Sequence, residues 1–250
     1  MKTVIKLALS LMFLATPFLA IAEEEEEAKK TFIYATYFKC VPALEDAADA
    51  QFDAESKPAF DAAREAGVIS DWGYYTHHTG GQWRRLTWYA AGSIGDLLKA
   101  QSHVQDAIPE AVDEVSANDF GKACKSHDDY IWEVTNGSNV TGEAQQGKAS
   151  ISTYHVCNLV GSDRADEIVA TEYAPILNAY VGDGTLTGWG WLSHRIGGKI
   201  RRIQTMTATD MPALLAATAK IFPAMGQVKS SDEFDSICTS HTDYLWNIVH

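Results

Sequence analysis

The chain has 250 residues, 46% hydrophobic, 10% aromatic and 21% charged, which is enough apolar material for one or two cores and is not the composition of a disordered chain. Its 33 acidic residues outnumber 20 basic ones, a formal net charge of −13, and this excludes phosphate-backbone binding as the main role and nucleic acid as a partner. The patterns G-x-S-x-G, H-E-x-x-H, C-x-x-C, G-x-G-x-x-G and the Walker loop are all absent, so none of the chemistries they carry is announced.

Residues 1–22 place Lys2 and Lys6 before an apolar run that ends in Ala20-Ile21-Ala22, the pattern of a secretory signal peptide cleaved before Glu23. A membrane anchor fits less well, because the apolar run is short, contains Pro17 and has no basic flank. No cysteine follows the cleavage point, which argues against a lipid-anchored form. Cleavage would leave 18 basic and 33 acidic residues, a charge of −15. Residues 23–30 open with Glu23 to Glu27 and read as an acidic, disordered N-terminus. The expected location is periplasmic or secreted, with no stable membrane insertion after cleavage.

From residue 31 the elements follow in order. TFIYATYFKC reads as a strand, and Leu44 to Ala66 as a helix broken or bent at Pro58 and closed by Gly67. SDWGYYTHH and QWRRLTWYA read as strands joined through Gly80-Gly81; a helix from Ser93 to about Val104, an irregular stretch and a last strand DYIWEV complete the unit at residue 135. Residues 136–148 are rich in Gly, Asn and Gln without apolar periodicity and read as a linker. Residues 149–250 then repeat the order: STYHVC, a helix with Pro175, TGWGWLSHR, Gly197-Gly198, KIRRIQTMT, a helix from Met211 and DYLWNIV.

The two units are copies. A shift of 117 residues aligns residues 36–100 with 153–217 at 21 identities in 65 pairs, and a shift of 114 aligns residues 120–134 with 234–248 at 7 of 15. The order strand, helix, strand, strand, helix, strand is the split βαβ of a ferredoxin-like fold, so the predicted fold class is α+β: two tandem ferredoxin-like βαββαβ repeats forming an intrachain α/β barrel. Each sheet is covered by helices on one face only, and the second copy supplies a partner for the bare face. On this element order and duplication, residues 31–250 resemble the dimeric α/β-barrel superfamily in a fused form. That resemblance implies a range of functions: cofactor-free monooxygenases of the antibiotic-biosynthesis type, small-molecule isomerases, and haem-binding relatives such as chlorite dismutases and dye-decolourising peroxidases.

Cys40 and Cys157 end the first strand of each repeat, and Cys124 and Cys238 precede each last strand. In the proposed sheet those strands are antiparallel neighbours, so the pairings Cys40 to Cys124 and Cys157 to Cys238 are expected among the three that four cysteines allow. The rival, a redox or metal-thiolate site, lacks any close C-x-x-C spacing.

Alternation about the Gly80-Gly81 turn separates two faces. Gly73 and Gly190 in mid-strand suggest close approach by a helix, which assigns Gly73, Tyr75, His77, Arg84, Leu86 and Trp88 and their copies to the helices. Trp72, Tyr74, Arg85 and Tyr89, with Trp189, Trp191 and Arg202, would then line the barrel as a small-molecule site; the bland reading is a solid core in which each arginine meets a buried acid. Arg85 and Arg202 could stabilise an enolate-like anion, and His77 and His194 are candidate bases or anion-site donors, though strand-end histidines are often structural. His127 with Asp129, and His241 with Asp243, share strand faces and offer at most a partial metal site. His155, which matches Phe38, is a lone candidate haem ligand. No cofactor is otherwise expected. The sequence thus points to an exported small-molecule-binding protein, with oxygenase or isomerase activity, haem binding and a non-catalytic envelope or stress role as alternatives, acting as a monomer with an internal pseudo-dimer or as a homo-oligomer.

Overall fold

The structure, a computed structural model, describes residues 30–108, 119–139 and 147–250. The signal-peptide and acidic-run expectations lie outside the described residues, as does the centre of the expected linker.

Strands β1 (Phe32–Lys39), β2 (Asp71–Thr79), β3 (Arg85–Ala91) and β4 (Ser126–Asn139) form the first half. The second half holds β5 (Ala149–Cys157), β6 (Gly188–Ile196), β7 (Arg202–Ala208) and β8 (Cys238–Ile248). They close into one barrel in the order β1-β3-β2-β8-β5-β7-β6-β4, each strand antiparallel to both neighbours. The joints between halves are β2 with β8 and β4 with β6. Because direction alternates around the ring, β1, β2, β5 and β6 all point the same way, and the two halves are related by an approximate two-fold along the barrel axis. Closure leaves no free sheet edge, so the barrel is complete within one chain.

Helices cover the outside. Between β1 and β2, α1 (Glu45–Gln51) and α2 (Lys57–Glu65) are joined by a π-helical turn, Phe52–Ser56, just before Pro58. The second half repeats this with α5 (Ser162–Ile168), a π turn at Val169–Tyr173 and α6 (Ala174–Gly182) around Pro175. The missing proline N–H removes a ladder bond, and one wider turn absorbs it without ending the helix. Helices α3 (Ile94–Ala107) and α7 (Met211–Met225) start on Ser93 and Asp210, whose side chains accept from the N–H of Asp96 and Ala213. Short α4 (Asp119–Ala123) and α8 (Ser231–Ile237) lead into β4 and β8.

Both expected disulfides are present, Cys40–Cys124 and Cys157–Cys238. Among the described residues no helix is long and apolar enough to cross a membrane.

Two expectations need correction. The stretch from Asn136 to Asn139 is not linker: it extends β4 and pairs with Gly188–Trp191 of β6. Its polar sequence hid this, because it forms the barrel rim and its partner lies in the other half of the chain. The two sheet faces are also the reverse of the assignment above. Trp72, Tyr74 and Tyr89 pack under the helices with Phe52, Phe60 and Leu97, and Trp189, Trp191 and Met206 do so with Ile168, Leu177 and Leu214. Leu86, Leu192 and Ile203 point into the barrel, with Tyr37, Trp132, Tyr154 and Trp246 beside them. Gly73 does mark a close approach, but by the indole of Trp88 inside the barrel: a Cβ there would lie 2.7 Å from Trp88 Cε2. Mid-strand glycine reports crowding without saying on which face.

The hairpin register is as expected, with Thr76 opposite Arg85. Gly80 takes φ +142° and Gly197 φ +135°, and each double glycine seats a tyrosine of the other half, Tyr244 over Gly80-Gly81 and Tyr130 over Gly197-Gly198.

Candidate functional site

Arg85 and Arg202 lie under the helices. The Arg85 side chain, 4% exposed, donates to Asp49 through Nε at 2.6 Å and Nη2 at 2.7 Å, and to Glu45 through Nη1 at 3.0 Å. Arg202 makes the same fork to Asp166, at 2.6 and 2.7 Å. Both guanidinium groups are neutralised within the protein and face away from the barrel interior, so neither is placed to hold an anionic ligand there. Trp72, Tyr74, Trp189 and Trp191 belong to the same layer, and Trp72 and Trp189 also reach the lining of the cavity described below; the Tyr74 hydroxyl donates to Asp49 at 2.6 Å and the Trp191 indole to Asp166 at 2.7 Å. The Trp72 indole donates to Asp61 at 3.2 Å, and the Tyr89 hydroxyl donates to the Leu97 carbonyl at 3.3 Å.

His77 and His194 point into the barrel at the hairpin end. Nδ1 of His77 accepts from Arg84 Nη1 at 2.7 Å and Nδ1 of His194 from Arg201 Nη1 at 2.9 Å. Arginine only donates, so the ring proton of each neutral imidazole is on Nε2. Burial first and the arginine second hold both rings below the usual histidine pKa. With Nδ1 occupied and Nε2 protonated, neither ring has a free lone pair for a base to use.

His127 and His241 reach their carboxylate partners Asp129 and Asp243 at 3.2 and 3.6 Å, on exposed surface, and among the described residues no group of three metal-ligating side chains forms. His155 is 6% exposed and meets Trp191, Phe234 and His241 with ring centroids 5.5, 5.5 and 5.8 Å away. A haem needs one open face at its axial histidine, and this ring is enclosed by packed aromatics. The residues present do not fit that cofactor.

Both nitrogens of His155 lack partners, and burial followed by the nearby His241 lowers its pKa to about 3. The folded state therefore refuses a proton that the unfolded chain accepts below about pH 6.5, so stability is complete above that pH and is lost as pH falls from there towards 3. The first half has Phe38 at the matching position. His155→Phe is expected to be more stable than the wild type, with an advantage that grows by about 2 kcal/mol between pH 8 and pH 5. Urea unfolding at the two pH values measures this, and a pH-independent difference would refute the assignment.

What the barrel does hold is a cavity of about 890 Å³. It opens at the end opposite the hairpins and disulfides, between Thr31, Asp71, Asn136–Asn139 and His250, and runs inward to a floor at Tyr37, Trp132 and Tyr154. Its two walls differ. Ile33, Tyr75 and Trp88 of the first half make an apolar, aromatic wall; Ser150, Ser152, Thr205 and Thr207 of the second make a hydroxyl wall. The contrast is written into the duplication: Ser150, Ser152, Thr205 and Thr207 stand where the first repeat has Ile33, Ala35, Trp88 and Ala90. Of the predicted ligand-site residues only Trp72 and Trp189 line this cavity; sequence reasoning missed the rest because it had the faces inverted, although the switch at these four matched positions was visible.

At the level of fold the chain resembles the dimeric α/β barrels. Solved structures that share the fold include an anthrone oxidase-like protein (TM-score 0.55, 14% identity, covering 90% of this chain and 93% of that one). A putative monooxygenase from Fusobacterium nucleatum subsp. nucleatum aligns with TM-score 0.56 at 9% identity over 90% of this chain and 94% of its own. A mutant chlorite dismutase from Candidatus Nitrospira defluvii, in complex with cyanide, aligns with TM-score 0.57 at 11% identity over 88% and 91%. No protein-family model matches the chain, and no curated protein matches it.

Proposed function

We propose that this protein binds one small, largely apolar organic molecule inside the barrel. The carrying observation is the cavity, whose volume suits such a ligand and whose two unlike walls define a single orientation within a nearly symmetric frame. We read the chain as a fused pair of ferredoxin-like units in which one shared chamber, rather than one site per unit, does the binding. The leader-like N-terminus and the two disulfides support work outside the cytoplasm, in the periplasm or beyond.

The lining bears on catalysis. Its ionisable groups are Asp71 and His250 at the mouth and the phenols of Tyr37, Tyr75 and Tyr154 within. Burial raises all three phenols, Tyr75 to about 12, so they remain protonated. A monooxygenase reaction of the kind the names of two fold neighbours suggest, or an isomerisation, would have to start from a ligand that is already ionised, or draw its base from the mouth. Binding is the function the lining supports directly.

Thr205→Trp tests this. It copies Trp88, and Gly190 beneath Thr205 offers the same space that Gly73 offers Trp88: a Cβ on Gly190 would meet Thr205 Oγ1 at 3.0 Å. The variant is expected to fold with a melting temperature within a few degrees of wild type and to lose binding of 2-ethylnaphthalene, read by calorimetry. Wild-type protein that shows no saturable binding, or a variant that binds equally well, would overturn the proposal.

A further inference from the structure

Resting on that reading, we infer that the cavity floor is a receptor for an acceptor-only oxygen, and that the ligand enters with a carbonyl group leading. The floor lies where the two halves meet on the approximate two-fold. Tyr37 and Tyr154 face each other there, with ring centroids 5.5 Å apart and planes at 82°. Each hydroxyl is close enough to perturb the ionisation of the other. Trp132 and Trp246, paired in register with His194 and His77, flank them.

The donor count is what points to a ligand. Trp132 is 1% exposed and Trp246 fully buried, yet neither indole N–H has a hydrogen-bond partner. Each lies near a phenol, Trp132 near Tyr37 and Trp246 near Tyr154, closely enough to influence its titration but not in hydrogen-bond geometry. An indole only donates. A buried donor left unmet costs about 1–3 kcal/mol, and the duplication repeats it: Trp132 lines the cavity, and Trp246 stands beside the floor residue Tyr154. The phenols are held protonated; Tyr37 directs its O–H at Tyr154, which leaves the Tyr154 O–H as a further donor for the ligand. Ser152 adds a hydroxyl beside Tyr154. A group that itself donates, such as an ammonium or an amide N–H, meets no matching acceptor at the two indoles. A carbonyl oxygen has two lone pairs and no hydrogen to misplace, and it can accept from the Trp132 indole of one half and the Tyr154 hydroxyl of the other, with Trp246 acting on it through Tyr154.

The test uses the oxidised full chain and two probes of nearly equal shape, 2-acetylnaphthalene and 2-ethylnaphthalene, in calorimetric titrations. The ketone is expected to bind about tenfold more tightly than the hydrocarbon. Trp132→Phe and Trp246→Phe keep a ring and remove the N–H; each is expected to weaken the ketone severalfold and leave the hydrocarbon unchanged. Equal wild-type affinities, as for a floor that ordered water satisfies, would overturn the carbonyl receptor while leaving the cavity proposal standing. A ketone preference that survives in both variants would likewise remove the indoles from it. Binding of neither probe would overturn the cavity reading on which the inference rests.

Discussion

Replacing Cys40 and Cys124 by serine is expected to lower the unfolding free energy by about 4 kcal/mol, and reducing both bridges is expected to leave the protein largely unfolded at 37 °C. The bridges span 84 and 81 residues, so each closes almost an entire half of the barrel. In the chain-entropy account, loops of that length remove about 4.5 kcal/mol of disorder each from the unfolded chain. A domain's whole stability is about 5–15 kcal/mol, so two such losses consume much of it. The location reinforces the argument: Cys40 follows β1 and Cys124 precedes β4 where Lys39 pairs with Ser126, and Cys157 lies opposite Cys238 in the β5 and β8 ladder. Each bridge therefore fixes the start of the last strand in its half, and that strand also carries the pairing to the other half. Near-UV circular dichroism during a thermal scan, with and without reductant, gives the measurement. A reduced protein that melts within a few degrees of the oxidised one would show that the closed barrel holds without its clasps.

The α+β class and the intrachain barrel were legible because duplication and element order are properties of the chain taken whole. The bridges followed from it, since antiparallel first and last strands bring matched cysteines together. The faces were not legible, for a physical reason. Both are buried, one under helices and one inside a closed barrel, so alternation distinguishes them only as two apolar sets. Arg85 and Arg202 looked like residues lining a cavity because nothing local shows that Asp49 and Asp166, 36 residues earlier, rise from a helix to meet them. Nothing in the sequence singled out Trp132 and Trp246, and only closure of the ring brings them beside Tyr37 and Tyr154. The polar rim from Asn136 to Asn139 looked like linker because a strand whose partner is in the other half leaves no local trace.

Comparison of the halves also separates what the frame needs from what the cavity uses. Under the helices the duplication is kept in kind: an arginine forked to an aspartate, and an aromatic donor to that same aspartate, occur in both halves. Inside the barrel it is kept at the floor, where tyrosine and tryptophan recur, and abandoned on the walls, where Trp88 faces the cavity from one side and Thr205 from the other. Thr207 is bonded to Thr187 and to the Gly188 carbonyl and Ser152 lies beside Tyr154, so the wall carries these hydroxyls with partners, whereas a core packed for apolar contact alone would keep the Ile, Ala, Trp and Ala of the other half.

Asp166→Asn is expected to destabilise the protein by about 3 kcal/mol, and Asp49→Asn by only about 1–2 kcal/mol. The arginine forks look alike, but their surroundings differ at one matched position: Glu45 in the first half is Ser162 in the second. Arg85 keeps Glu45 at 3.0 Å if Asp49 loses its charge. Arg202, with its side chain 8% exposed, has Asp166 as its carboxylate, and among the described residues its other acceptors are the carbonyls of Arg201 at 2.8 Å and Ser162 at 3.3 Å. Removing one partner of a buried pair strands the other charge at a cost of about 3–5 kcal/mol, and Asp166, 28% exposed, places the loss at the lower end of that range. The asparagine amide would also turn a donor towards a guanidinium that can only donate. Urea midpoints of the two variants at pH 7 decide the matter. Equal losses, or a larger one at Asp49, would mean that Glu45 lends Arg85 no support and that the two forks are energetically equivalent despite the missing carboxylate.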